Sequence, residues 1–311
     1  MSADCSRASL PPAGRPFRLE MGTIRGVSIV IPTRCREDAL GKCLNGLSEW
    51  RGRAEVVVVD DDPQGTADRV CERFPGVRRI RTGGIGAAAA RNLGAEASAT
   101  PWIAFLDDDC LPRHGWLEGL IAACASDPSV LSAGHMVNGL AANPYATATQ
   151  ELLDFLHSVD NGVADDARFV ASANLLVSRE AFLAMGGFDA GYRAAGGEDR
   201  DFCLRWRQSG GRIRWCSGVV VDHYHGMGLK GFCRQHFRYG AGAARFHALD
   251  RQQGSRDGRG FCGVTWYLKL LVHPFRRHSM VQAPRLAALL AVAQFMTAMG
   301  VAGELLRWRR A

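Results

Sequence analysis

A chain of 311 residues with 47% hydrophobic and 22% charged content has an ordinary globular composition. That excludes disorder throughout and leaves room for one large α/β domain with an appendage. Its 38 basic against 31 acidic residues give a net charge of +7, a balance that suits a polyanionic ligand or an anionic membrane surface. No aromatic-interleaved basic run, zinc-finger spacing or helix-turn-helix pattern points to nucleic acid as a partner.

In chain order, residues 1–24 are rich in Ser, Pro, Ala and Gly and lack the apolar core of a signal peptide. They read as a flexible tail. The ten cysteines are scattered with no CxxC pair, which reads as buried reduced thiols and, with the tail, predicts a cytoplasmic protein. From Val27 short apolar runs alternate with helical patterns: VSIVIP, EDALGKCLNGLSEW, AEVVVVD, TADRVCERF, VRRIRT, AAAARNLGAEA and WIAFLDDD. This rhythm predicts a parallel sheet built by right-handed crossovers and covered on both faces. Ligands of such sheets sit outside the carboxyl ends of the strands, where Asp60, Asp61 and Asp62 follow VVVV and Asp107, Asp108 and Asp109 follow IAFL.

A second stretch, up to about His225, adds the strand candidates LSAGHMV, RFVASANLLVS and RIRWCSGVVVDH. The reading is therefore one catalytic domain over 25–226, with a nucleotide-binding half (25–110) and an acceptor half (111–226), followed by a helical region over 227–311.

Three constellations carry chemistry. The triplet Asp107-Asp108-Asp109 at the mouth of a buried strand repels itself unless something positive sits there, and a divalent cation, Mn2+ or Mg2+, is the natural occupant. Asp107 and Asp109 are expected on the same side of an extended segment, one toward a ribose and the other on the metal. The alternative is a solvated loop capping a helix that begins near Pro112 or Arg113. The run Gly196-Gly197-Glu198-Asp199 opens a helix, where glycines let the backbone approach a substrate and the helix N-terminus keeps a carboxylate ionised. That suits a general base, against the plainer reading of an acidic first turn. His223 ends the last apolar run, and it is preferred over His225 as a third metal ligand.

Together these motifs resemble the family-two inverting glycosyltransferases of the GT-A fold, over about Val27 to His225 and in the family's order. VSIVIPTRCRED, VVVVDDDP, AARNLGAEAS, FLDDDC and GGEDRDFCLRWRQSGG are similar to the family's first strand and turn, its nucleotide-facing acids, its Ala-Arg-Asn-x-Gly helix, its Asp-x-Asp motif and its Glu-Asp base motif. The resemblance implies an α/β, mostly parallel Rossmann-like sheet flanked by helices. It implies that Pro32, Thr33, Asp60 and Arg91 contact the nucleotide, with Arg34, Asp61 and Asp108 beside them. It further implies Asp107, Asp109 and His223 at the metal and diphosphate, and Asp199, flanked by Glu198, as the base. Arg34-Cys35 replaces the family's common Tyr-Asn, and Asp62-Pro63 its Gly-Ser, which leaves the donor open.

The implied reaction is transfer of a sugar from a nucleoside-diphosphate sugar to a hydroxyl of a glycan, lipid-linked or small-molecule acceptor, with inversion. Three rivals stand beside it. Gly84-Ile85-Gly86-Ala87-Ala88-Ala89 fits a dinucleotide fingerprint with Asp107 about twenty residues on, but the strand before it, VRRIRT, is too charged for a buried first strand. A sugar nucleotidyltransferase would need glycines after the first strand, which IPTRCRED lacks. An inactive membrane-associated scaffold would have no reason to keep Asp107, Asp109 and Asp199 together.

Last, Leu286 to Gly303 is almost wholly apolar, about eighteen residues or roughly 27 Å as a helix, the short edge of a bilayer's hydrocarbon core. With Arg276, Arg277, Arg307, Arg309 and Arg310 around it and Trp308 at its end, it reads as a helix lying in the cytoplasmic leaflet. A helix docked on the catalytic domain is the alternative.

Overall fold

The computed structural model describes residues 26–124, 127–162, 166–192, 196–252 and 263–309; the expected tail, 1–24, lies outside the described residues. The first half is built from β1 (Val27–Thr33), α1 (Glu37–Gly46), β2 (Glu55–Asp60), α2 (Asp68–Cys71), β3 (Val77–Arg81), α3 (Ala87–Ala97) and β4 (Trp102–Leu106). The second half comprises β5 (Cys110–Pro112), α4 (Trp116–Cys124), β6 (Val130–Asn138), α5 (Pro144–Asp160), β7 (Asn174–Ser178), α6 (Arg179–Ala184), α7 (Glu198–Gln208) and β8 (Arg212–His223). After it come α8 (Leu229–Gln252), α9 (Val264–Val272) and α10 (Gln282–Trp308).

The eight strands of the described residues form one sheet in the order β3-β2-β1-β4-β7-β6-β8-β5. The first four pair in parallel, as the alternating pattern predicts. β7 then runs antiparallel to both β4 and β6, so the sheet is mixed at its centre. Of the expected strand RFVASANLLVS only the last five residues pair. Strand alternation sorts the core into two layers. Val27, Ile29 and Ile31 face Leu40, Trp50 and Trp116 on one side, while Val30, Val57 and Val59 face Ala90, Phe182 and Phe202 on the other. The edge strand β3 keeps arginines exposed, which blunts further pairing. Gly94 lets α3 lie close on the sheet, since a Cβ there would run into Val30.

The three C-terminal helices pack on this domain. α10 contributes Leu286 and Ala293 to a small core with Ala148 of α5 and Phe232 of α8. The α8–α10 crossing is backbone on backbone: a Cβ at Gly240 would strike the Thr297 carbonyl, and one at Gly300 the Phe237 carbonyl. Buried Glu151 of α5 holds the α9–α10 connection through His273, at 3.0 Å, and His278, at 2.7 Å.

Candidate active site

The acid triplet leaves β4 at its carboxyl end, and the helix expected near Pro112 or Arg113 begins slightly later, as α4 at Trp116. The three residues that follow the triplet form β5, which pairs antiparallel with the end of β8, Cys110 opposite His223. That register brings residues more than 110 positions apart into one cluster. Asp109 Oδ1 lies 3.3 Å from His223 Nε2, and Oδ2 lies 2.9 Å from His225 Nδ1. The two imidazoles stack at 5.5 Å between centroids. These three groups, one carboxylate oxygen and two ring nitrogens, all lie within 4.8 Å of one another. A carboxylate with two converging imidazoles is a donor set that fits a divalent transition metal such as Mn2+. His225, ranked below His223 on sequence, is placed as its equal.

Arginine divides the triplet's remaining charge. Arg36 donates to Asp108 at 3.0 Å and to Asp109 at 2.7 Å. Thr33 donates to Asp108 at 2.7 Å. Burial pushes the Asp108 carboxyl up to about 6, with Asp109 adding to the rise and Arg36 opposing it. Burial works against ionisation of Asp109 too, but hydrogen bonds from His223 and His225 outweigh it, and its pKa falls far below the carboxylate range. His223 is raised in turn, the hydrogen bond to Asp109 and then its charge overcoming the effect of burial. Asp107 points elsewhere: it accepts from Arg91 at 2.6 Å and does not join the Asp109–imidazole group.

Arg91, buried on α3, is the hub on the other side. Besides Asp107 it faces Glu198 at 3.8 Å. Burial opposes its charge, yet Asp107, Asp199 and Glu198 outweigh it and raise its pKa. Glu198 and Asp199 stand in the first turn of α7. Gly196 and Gly197 before them take φ of 140° and 102°, a left-handed backbone that favours glycine. The reason lies in α8, whose Gly242 touches the Gly196–Gly197 backbone so closely that no Cβ fits there. Glu198 turns back to accept from the Gly196 N–H at 2.6 Å. Its carboxyl is pushed up to about 7 by burial and by the neighbouring Asp199. Asp199 is also raised, chiefly by burial, with Arg91 and hydrogen bonds from Ser172 pulling the other way. Its Oδ1 is buried without a hydrogen-bond partner.

The nucleotide-side residues are equally distinct in role. Both Asp60 oxygens accept backbone N–H groups, of Asp62 and Ala67, so this fully buried carboxylate shapes the turn after β2. Asp61 takes the Thr82 hydroxyl at 2.6 Å and the N–H groups of Gly84, Ile85 and Gly86 at 2.7–2.9 Å. The glycine-rich string that resembles a dinucleotide fingerprint therefore wraps a carboxylate of its own chain. Pro32 and Thr33 close β1 beside this turn, and exposed Arg34 sits against Gly84.

A cavity of about 710 Å³ runs from this site into the C-terminal helices. Arg91, Asp107, Glu198, Asp199, His223 and His225 line its inner end. Arg36 and Tyr239, which also lines the cavity, were not singled out by the sequence. The only hint of Arg36 was a basic residue immediately before the acidic start of α1.

The sequence profile of Glycosyl transferase family 2 matches residues 28–186, and that of the N-terminal domain of galactosyltransferase matches residues 159–227. A pre-mycofactocin glycosyltransferase of Mycobacterium tuberculosis is 32% identical over 230 residues, 71% of this chain and 47% of its own length. The chain thus spans about half of that relative. Glycosyltransferase AglE of Haloferax volcanii is 27% identical over 74% of this chain and 76% of its own length. Among solved structures, the mannosyltransferase PcManGT of Pyrobaculum calidifontis, in complex with GDP-Man and Mn2+, aligns with a TM-score of 0.57. The match is 17% identical and covers 92% of this chain and 79% of that one. GalNAc-T7 with UDP, GalNAc and Mn2+ aligns at 0.53 and 17% identity, over 79% and 53% of the two chains. Both share the sheet and its flanking helices.

Proposed function

We propose that this chain, which belongs to glycosyl transferase family 2 and has the GT-A fold, transfers a sugar from a nucleotide-sugar donor with inversion, using Asp199 as the base, to a hydroxyl-bearing acceptor in the cavity. The single observation carrying this is the buried, unpartnered Asp199 oxygen on a residue lining that cavity, next to a cationic hub. A base needs a lone pair that nothing else occupies. Asp199 accepts the proton of the acceptor hydroxyl as the acceptor oxygen attacks the anomeric carbon and the bond to the diphosphate breaks on the opposite face. One displacement inverts the centre.

Arg91 stands between Asp107 and the Glu198–Asp199 pair and supplies fixed positive charge at the developing anion. Asp109, His223 and His225 would hold the divalent cation, which supplies charge neutralisation at the diphosphate when bound. Two imidazoles favour Mn2+ over Mg2+ there, in line with the Mn2+ named for both structural neighbours. Asp107, held by Arg91, and exposed Arg34 face the donor from the nucleotide half.

The test is Asp199→Asn. Turnover with a panel of UDP- and GDP-sugars is expected to drop roughly 10²–10⁴-fold while donor affinity stays within about twofold of the parent. Loss of donor binding alongside turnover would move Asp199 into the nucleotide site and end its assignment as base.

A further inference from the structure

Apart from the catalytic acids the cavity is lined mostly by apolar side chains, among them Leu152, Leu153 and Leu156 of α5, Phe246 of α8, Trp266 of α9 and Val301 of α10, with Gln235 of α8 and Gln294 and Thr297 of α10 as polar members of the same helices. Pro32, Thr33, Asp60 and Asp61 do not line it, so this mostly apolar arm of the cavity runs away from the nucleotide half. Sugars are recognised by convergent hydrogen-bonding groups, and a wall that is mostly hydrocarbon suits an apolar chain better than a second sugar. The far end is open. Ala298, Ala302 and Leu305 line the cavity and are also exposed, as is Tyr267 of α9. Past them Phe295, Met299 and Leu306 continue the apolar surface outside. Exposed Lys269, Arg307 and Arg309 on or at the end of the same two helices add positive charge to this side of the molecule.

We propose that this arm binds the hydrocarbon chain of a lipid-linked acceptor, which enters between α9 and α10 and brings its hydroxyl to Asp199. The assignment rests on the glycosyl-transfer reading and narrows its acceptor to an amphiphile. A hydrocarbon chain fits the mostly apolar wall, the opening onto an apolar face explains how it enters, and the exposed cations beside the opening suit an anionic membrane surface from which the chain is drawn. The balance is that of the transfer itself: the acceptor O–H bond breaks, its proton passes to Asp199, its oxygen bonds the anomeric carbon, and the nucleoside diphosphate leaves with its electron pair.

Methyl, octyl and dodecyl β-glucoside, titrated calorimetrically into the full chain below their micelle concentrations, read this directly. Affinity is expected to rise on the order of tenfold or more from methyl to dodecyl, as apolar burial grows with chain length. Ala302→Trp, or the milder Val301→Phe should the first fail to fold, is expected to abolish that gain. Phe295→Glu, outside the cavity, leaves it in place. An affinity independent of chain length overturns the proposal, and so does a loss as large in Phe295→Glu as in the cavity variants, which would place the chain on the outer surface. Hydrolysis of sugar nucleotides by the parent is measured separately: its absence sinks the glycosyl-transfer reading, while the glucoside titration stands without it.

Discussion

At the scale of single residues, the carboxylates of the site are not tuned alike. Asp109 is held ionised by two imidazoles, whereas burial raises Asp199 and Glu198. This separation has a pH signature. A base whose pKa is raised is protonated, and inactive, as pH falls through that raised value. The acid limb of kcat/KM is therefore expected above the ordinary carboxylate range near 4, and Asp107→Asn should shift it downward by removing one like charge. A limb at or below about 4 in a pH-rate profile would contradict this. The metal side makes a second prediction: His223→Ala and His225→Ala each remove one of three converging donors, so Mn2+ affinity should fall by at least about tenfold in both. Titration of Mn2+ into the two variants decides it, and an unchanged His225→Ala would return that ring to a stacking role on His223. Sequence order could favour His223 because it ends an apolar run. The value of His225 depends on the β5–β8 register, and three-residue strands paired across more than a hundred positions leave no periodic trace. Arg36 was hidden for the same reason, since it acts on acids that reach it only through the fold.

Among the elements, those visible in the sequence were the ones whose burial is local and periodic. β1, β2 and β4 are apolar on both faces, and β2 and β4 run out into acids, so their place, direction and site-bearing ends follow from composition alone. The reversal at β7 does not, because a strand's direction is set by where its partners lie and not by its own pattern. Nor does the dependence of the base on α8. Gly196 and Gly197 line the cavity and also make room for a helix: Gly242 of α8 presses on them, and α8 in turn lies against α10 through Gly240 and Gly300. A chain of backbone contacts thus runs from the C-terminal helix to Asp199. Gly300→Leu is expected to push α10 off α8 at a cost of about 1–3 kcal/mol, read by urea denaturation, and to lower turnover with it. A stable, fully active Gly300→Leu would show that the seam is not what seats the base.

Over the whole molecule, α10 is apolar on two sides. Ala283, Leu286, Leu290, Ala293 and Gly300 form the buried stripe, while Val292, Phe295, Met299 and Leu306 form an exposed one. A helix apolar all round is at home either in a protein interior or against lipid. At 27 residues it is long and apolar enough to cross a membrane, yet its buried stripe is committed to α5 and α8. A helix lying on a bilayer satisfies both stripes at once. The exposed residues of α9, Val264, Leu268 and Val272, recur every fourth position and extend the same kind of surface. Arg277 is engaged by Asp154 and Glu151, and Arg310 lies outside the described residues. Headgroup contact would then fall to exposed Lys269, Arg276, Arg285 and Arg309, each worth about 1 kcal/mol against an anionic leaflet, with Arg307 partly engaged by Glu304. The protein is expected to co-sediment with vesicles rich in phosphatidylglycerol and much less with neutral ones. Raising salt from about 0.05 to about 0.5 M should release part of it, since the Debye length shortens severalfold, and the apolar stripe holds the remainder. Phe295→Glu with Met299→Glu should weaken binding at every salt concentration, because it removes the component that screening cannot reach. Should the parent stay in the supernatant with anionic vesicles at low salt, the outer face of α10 does not meet a membrane, and the cavity mouth beside it would have to be supplied with its acceptor from solution.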